Sequence, residues 1–119
     1  MKLITERNTF HYMKKIKLGK WGEDQAVQFL NRRGYAVIAT NYYSRHGEID
    51  IIAQKVYNKN ELYIIEVKTR KAHNGSAEKA TDEYKQHKIY KTAQEYCIKK
   101  KINIDKTTFY FKQISVYVL

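Results

Sequence analysis

Two short runs limit this chain more than any others: Ile49-Asp50-Ile51-Ile52-Ala53 and Leu62-Tyr63-Ile64-Ile65-Glu66-Val67-Lys68. Both are β-branched or aromatic and almost unbroken by polar residues, as in strands covered on two faces rather than one. Such strands need a layer on each side. The rest of the chain supplies candidates for both layers. Ala26, Phe29 and Leu30, with Val27 beside them, recur at helical spacing in a helix expected over about Gly19 to Arg33, with Gly34 as its stop. Ile89, Ala93, Tyr96 and Cys97 form the stripe of a second helix over about Thr81 to Lys101, with Lys88, Lys91 and Lys99 on its other side.

Tyr35 to Ala39 reads as a further strand, and Phe109 to Leu119 as one or two more. The fold class is therefore α/β, a mixed sheet flanked by helices in the order α-β-β-β-α-β. Polar residues from Asn41 to Gly47 read as a turn, Val56 to Asn60 as the sharpest turn, and 69 to 80, with Asn74-Gly75-Ser76, as a loop. Residues 1 to 17 read as an N-terminal extension, a loosely docked lead-in, and 18 to 119 as one domain.

Acids interrupt the two apolar runs. Taking Asn58 as the centre of a hairpin puts Asp50 opposite Glu66, Glu48 opposite Lys68 and Ile52 opposite Ile64. Because strand side chains alternate, Glu48 and Asp50 share a face, as do Glu66 and Lys68. Three carboxylates and an ammonium then converge at one end of the hairpin. Facing carboxylates repel, and a hard cation such as Mg²⁺ or Mn²⁺ relieves that repulsion through oxygen ligands. A cation so held polarises a phosphate and activates water, leaving Lys68 to orient the water or stabilise transition-state charge. The plainer reading is a solvated hairpin with a Glu48–Lys68 ion pair, of small energetic weight. Glu23 lies on the core-facing arc of the first helix, four residues before Val27 and seven before Leu30, where a solvated Glu is out of place. It joins the acidic site as a ligand or water-positioning base.

Charge indicates the partner. Lys and Arg number 23 against 12 Asp and Glu, a net charge of +11, and such a surface attracts polyanions. DNA is the expected partner. Arg45 and His46 before the Gly47-Glu48-Ile49-Asp50 run, and Arg70, Lys71 and His73 after the second run, lie at the acidic end and are placed to grip phosphates. Lys85 and Lys88 on the second helix complete the DNA-binding set. Tyr42 and Tyr43 read as core-edge tyrosines rather than as a base-stacking platform.

Other classes are excluded. The single cysteine, Cys97, permits neither an internal disulfide nor a thiolate zinc cluster, and the four histidines lack ligand spacing. Cys97 reads as packing filler in a cytoplasmic protein. No stretch approaches the ~20 apolar residues of a membrane span, and the N-terminus has no signal-peptide pattern.

These residues also resemble a known family. Gly19-Lys20-Trp21-Gly22-Glu23-Asp24-Gln25-Ala26 resembles a G-x-x-G-E-x-x-A opening. Phe29-Leu30 with Gly34-Tyr35, then Asn41, then Gly47 to Ala53, then Ile65-Glu66-Val67-Lys68-Thr69-Arg70, then Lys85, Ala93 and Tyr96 continue the pattern. Together they resemble the YraN-like family of small bacterial proteins. That family is similar to the PD-(D/E)xK, restriction-endonuclease-like nucleases and especially to archaeal Holliday-junction resolvases. The resemblance implies a restriction-endonuclease-like fold, Mg²⁺ use and phosphodiester hydrolysis on double-stranded or branched DNA. It implies Asp50, Glu66 and Glu23 as metal ligands, and Glu23, Asp50, Glu66 and Lys68 as the catalytic set. Two-fold, resolvase-like substrates would call for a homodimer. A non-catalytic nucleic-acid-binding module keeping that fold is the alternative. This chain departs from the pattern at residues 1 to 17, at Tyr43, where a basic residue is common, and at Phe109 to Leu119, which lacks an R-F-D ending.

Overall fold

The computed structural model describes residues 1–5, 15–71 and 82–118. Its elements are β1 (Lys2–Thr5), α1 (Lys15–Arg32), β2 (Tyr35–Ser44), β3 (Gly47–Lys55), β4 (Asn58–Lys71), α2 (Glu83–Lys99), a 3-10 turn (Ile104–Lys106) and β5 (Thr108–Val118). From residue 18 onward this is the expected α-β-β-β-α-β order. Among the described residues the sheet has five strands, ordered β1-β5-β4-β3-β2. β3 runs antiparallel to both its neighbours, β2 and β4, whereas β5 is parallel to β4 and β1 parallel to β5. The sheet is therefore mixed.

Both faces of the central strands are buried, as their composition demands. On one face Ala26, Phe29 and Leu30 of α1 pack on Ile51, Ala53, Tyr63, Ile65, Ile114 and Val116. On the other, Ile89, Ala93, Tyr96 and Cys97 of α2 pack on Ile49, Ile52, Leu62 and Ile64. Cys97 is buried, which pushes its thiol pKa up, away from reactivity. Gly34 ends α1 at a φ of +84°, a conformation that costs glycine little, and its carbonyl accepts from the Val56 N–H at 3.0 Å. No helix of the described residues is long and apolar enough to cross a membrane.

Several boundaries differ from the sequence reading. The segment Asn41 to Ser44 is strand, because each of its residues except Asn41 pairs with β3; the turn is confined to Arg45 and His46. The β3–β4 turn is Val56-Tyr57, and Asn58 to Asn60 belong to β4. Thr69 to Lys71 extend β4, since β5 pairs with them as far as Lys71↔Val118. Phe109 to Val118 lies in one strand, β5. Within the N-terminal extension, Lys2 to Thr5 add an edge strand, in register with Ser115 to Val118. The Asn74-Gly75-Ser76 turn and His73 lie outside the described residues.

Candidate active site at the end of β3 and β4

The β3–β4 ladder runs through Ala53↔Tyr63, Ile52↔Ile64 and Ile51↔Ile65. The Ile52–Ile64 pairing is the one expected. The turn itself is shorter than supposed, Lys55 pairing with Asn58, and a register shift between Ala53 and Lys55 makes up the difference. The ladder does not continue to Asp50 and Glu66 as backbone partners. Instead Asp50 Oδ2 accepts a hydrogen bond from the Val67 N–H at 2.8 Å. Strict alternation fails at the same place. Ile51 and Ala53 face α1, yet Ile49 joins the α2 cluster. β3 thus rotates at Asp50, and a carboxylate takes over a backbone donor of β4. Glu48 pairs not with Lys68 but with Tyr43 across β2–β3, and the Tyr43 hydroxyl donates to it.

The acids nevertheless meet. Glu48, Asp50 and Glu66 line one hollow of ≈ 230 Å³ between sheet and α2, together with Ile49, Ile64, Ile65, Lys85, Ile89 and Phe111. Burial raises the pKa of Asp50 above its ordinary value; Val67's hydrogen bond opposes this, and the charges of Glu48 and Glu66 add to it. Glu23 reaches the same field from α1. Burial raises its pKa first, then the charge of Asp50, while a hydrogen bond from the Asn41 side chain lowers it. Asn41 sits in the left-handed region, φ 50°, within β2.

One feature brings α1 to this place, and another ties in α2. A Cβ on Gly22 would fall inside the Thr69 side chain, 2.9 Å from Thr69 Cβ. Only glycine lets α1 approach β4 this closely, and Glu23 is the next residue. At the other side, the His46 N–H donates to Ser44 Oγ at 3.0 Å, which shares a 3.0 Å hydrogen bond with Thr92 Oγ1, which donates to the Lys88 carbonyl. This chain ties the turn before Gly47 to α2. Thr92 is fully buried. Sequence reasoning missed Ser44 and Thr92 and gave Asn41, a member of the quoted pattern, no role; Thr92 had a signal, a polar residue beside Ala93 on the apolar stripe.

Lys68 pairs with Glu66 on its own strand, Nζ to Oε1 3.2 Å, and Lys85 reaches the same oxygen at 2.8 Å. Among the described residues, no three His, Cys, Asp or Glu side chains stand ready to hold a metal ion. The proposed ligands Asp50, Glu66 and Glu23 are neighbours rather than a formed cage, because Val67 engages Asp50 and two lysines engage Glu66. Their donor chemistry still fits a hard divalent cation: carboxylate oxygens, close enough that the charge of Asp50 raises the pKa of Glu23 and the charge of Glu66 raises that of Asp50.

Of the DNA-binding set, Lys85 is brought into the site. Arg45 is exposed at the β2–β3 turn, with Nε 3.7 Å from Glu95 and 3.4 Å from His46. Arg70 stands on β4 in register with Tyr117. Lys88 is exposed on α2, over the Tyr84 ring at 4.7 Å, and does not line the hollow. Lys71 ends β4, and its side chain lies outside the description. Tyr42 packs edge-on against Tyr96, as a core-edge tyrosine does, whereas Tyr43 is exposed.

Residues 22–116 match the model of the uncharacterised protein family UPF0102. A UPF0102 protein of Clostridium botulinum (strain Hall) is 45% identical over 103 residues, covering 86% of this chain and 78% of that protein. One of Persephonella marina is 40% identical over 92 residues, covering 76% and 77%. The matched region contains every candidate site residue named above.

Proposed function

We propose for this chain, which belongs to the uncharacterised protein family UPF0102, the hydrolysis of DNA phosphodiester bonds with Mg²⁺ or Mn²⁺. One observation carries the reading. In a chain of net charge +11, acids of β3 and β4 line one hollow, with Lys68 beside Glu66 and with Glu23 of α1 within electrostatic reach of Asp50. A basic surface holds the polyanion, and the acidic centre is what a cation needs.

Asp50 and Glu66, with Glu23 behind them, would hold the cation. It would polarise the scissile phosphate and lower the pKa of attacking water. The remaining work falls to the chain. Val67's N–H fixes the Asp50 carboxylate in place. Lys68, held beside Glu66, orients the water or meets charge developing on the phosphate. Arg45 and Arg70 grip the flanking backbone on duplex or branched DNA, and a two-fold substrate would recruit two copies. A lone buried cysteine suits a cytoplasmic setting.

The second reading is a nucleic-acid-binding module without catalysis. It is favoured by the two lysines that already engage Glu66. The deciding experiment incubates the purified chain with linear, flapped and four-way DNA in Mg²⁺ or Mn²⁺, beside Asp50→Asn and Lys68→Met. Cleavage lost in both variants while DNA binding persists supports the nuclease. DNA binding with no cleavage by the wild type in either metal leaves the second reading.

A further inference from the structure

Lys85 is placed against the electrostatics of its own helix. It lies in the first turn of α2, its N–H bonded to the Asp82 cap at 2.8 Å. The helix dipole there favours anions, not cations. Glu66 accounts for the placement: Lys85 Nζ is 2.8 Å from Glu66 Oε1, and Lys68 Nζ is 3.2 Å from that same oxygen. Two ammonium groups on a carboxylate only 11% exposed bring it as much positive charge as one divalent ion would.

The two lysines are not equivalent. Lys68 is two residues from Glu66 along β4, so the strand fixes where its stem begins. Lys85 comes from a separate element, and its side chain is 49% exposed. A flexible, half-solvated ammonium can leave a partner at small cost. A cation ligated by Glu66 and the Lys85 ammonium compete for one carboxylate, and Lys85 is the group able to yield.

We infer that Lys85 is a resident counter-ion of Glu66, displaced when a divalent cation binds and then presented at the mouth of the hollow to a phosphate. The inference rests on the metal-dependent reading above. It makes cation and polyanion binding cooperative: a phosphate that draws Lys85 away frees Glu66 for the cation, and the cation does the same for the phosphate. It also accounts for acids that are neighbours without forming a cage. Lys85 thereby acts on the cation through Glu66 and on the phosphate directly.

The test is a calorimetric titration of Mn²⁺, without nucleic acid, into the full chain and its Lys85→Met, Lys88→Met and Asp50→Asn variants. Lys85→Met binds Mn²⁺ about fivefold tighter than the wild type, the scale of one part-exposed ion pair. Lys88→Met, which removes the same charge one turn away, stays within about twofold. Asp50→Asn loses the binding. Equal affinity of wild type and Lys85→Met, with binding lost in Asp50→Asn, overturns the inference and leaves the metal site standing. Equal tightening in both lysine variants also overturns it, since net charge then explains the effect. Absence of Mn²⁺ binding in every protein, or binding undiminished in Asp50→Asn, overturns the metal site and the inference together.

Discussion

Asp50 Oδ2 accepts a 2.8 Å hydrogen bond from the Val67 N–H at the point where the β3–β4 ladder stops. The carboxylate therefore has two roles that substitution separates: a structural acceptor and a buried charge. Burial holds its folded-state pKa above its ordinary value of 3.8. Between those two values the folded protein keeps a proton that the unfolded chain releases. Stability thus falls as pH rises through the window, and the whole penalty is present above it. Asn keeps an oxygen for Val67 and carries no charge. Asp50→Asn should melt higher than the wild type near neutral pH, and the gap should close once the pH falls below the ordinary carboxylate range. Asp50→Ala leaves the Val67 donor without this acceptor and should be about 1–3 kcal/mol less stable than Asp50→Asn. Urea denaturation across the acid range measures both differences.

The approach of α1 to β4 gives a second prediction. Because a Cβ at Gly22 meets the Thr69 side chain, Gly22→Ala forces the helix outward and should cost about 1–3 kcal/mol. Thr69→Ala removes the hydroxyl, the nearest obstructing atom, and should return part of that loss in the double variant. Chemical denaturation of the two single variants and the double closes the cycle. A single-variant loss below about 0.5 kcal/mol, the scale of an ordinary surface change, would mean that α1 yields freely and that Gly22 does not set the position of Glu23.

Thr92 ties α2 to the turn before Gly47. Thr92→Val keeps the shape but removes the hydroxyl that links Ser44 Oγ to the Lys88 carbonyl. In a fully buried position the loss should be about 1–3 kcal/mol. Amide hydrogen exchange at His46 should quicken, because its N–H depends on Ser44 Oγ. Unchanged exchange there would show that the turn is held by other contacts.

Much of this architecture is legible in the sequence because burial leaves a periodic trace. The stripes Ala26-Phe29-Leu30 and Ile89-Ala93-Tyr96-Cys97 mark the two helix faces, and both are buried. Unbroken apolar runs mark β3 and β4 as covered twice. Irregularities leave no such trace. A register shift adds residues to one strand without changing composition, so the Ile52–Ile64 pairing emerges from a hairpin centre that is itself displaced from the Val56-Tyr57 turn. The rotation at Asp50 is equally silent, and the ladder stops there, short of the Glu48–Lys68 pairing that the hairpin register extrapolates. β1 depends on partners more than a hundred positions away, Lys2 meeting Ser115. The capture of Glu66 by Lys85 joins a strand to a helix after it, and pattern within either element says nothing about it. The YraN-like resemblance is borne out by the UPF0102 match, and a family pattern of residues carries no rotamers.

Lys68 offers the sharpest test of chemistry as distinct from fold. Its ammonium stands 3.2 Å from Glu66 and is partly exposed, so it contributes little to packing. Lys68→Met should therefore melt within about 1 kcal/mol of the wild type. If the ammonium meets charge that develops on the phosphate, the same change should lower kcat by about 10²–10³ with KM nearly unchanged, the signature of an interaction made in the transition state alone. Lys68→Arg should not restore the rate. A guanidinium is a planar fork, not a compact point charge, and beside Glu66 it would settle into a two-point carboxylate pair. Rate measurements on flapped and four-way DNA with each variant decide it. A Lys68→Met enzyme as fast as the wild type would take Lys68 out of the reaction and leave it as the strand-borne counter-ion of Glu66.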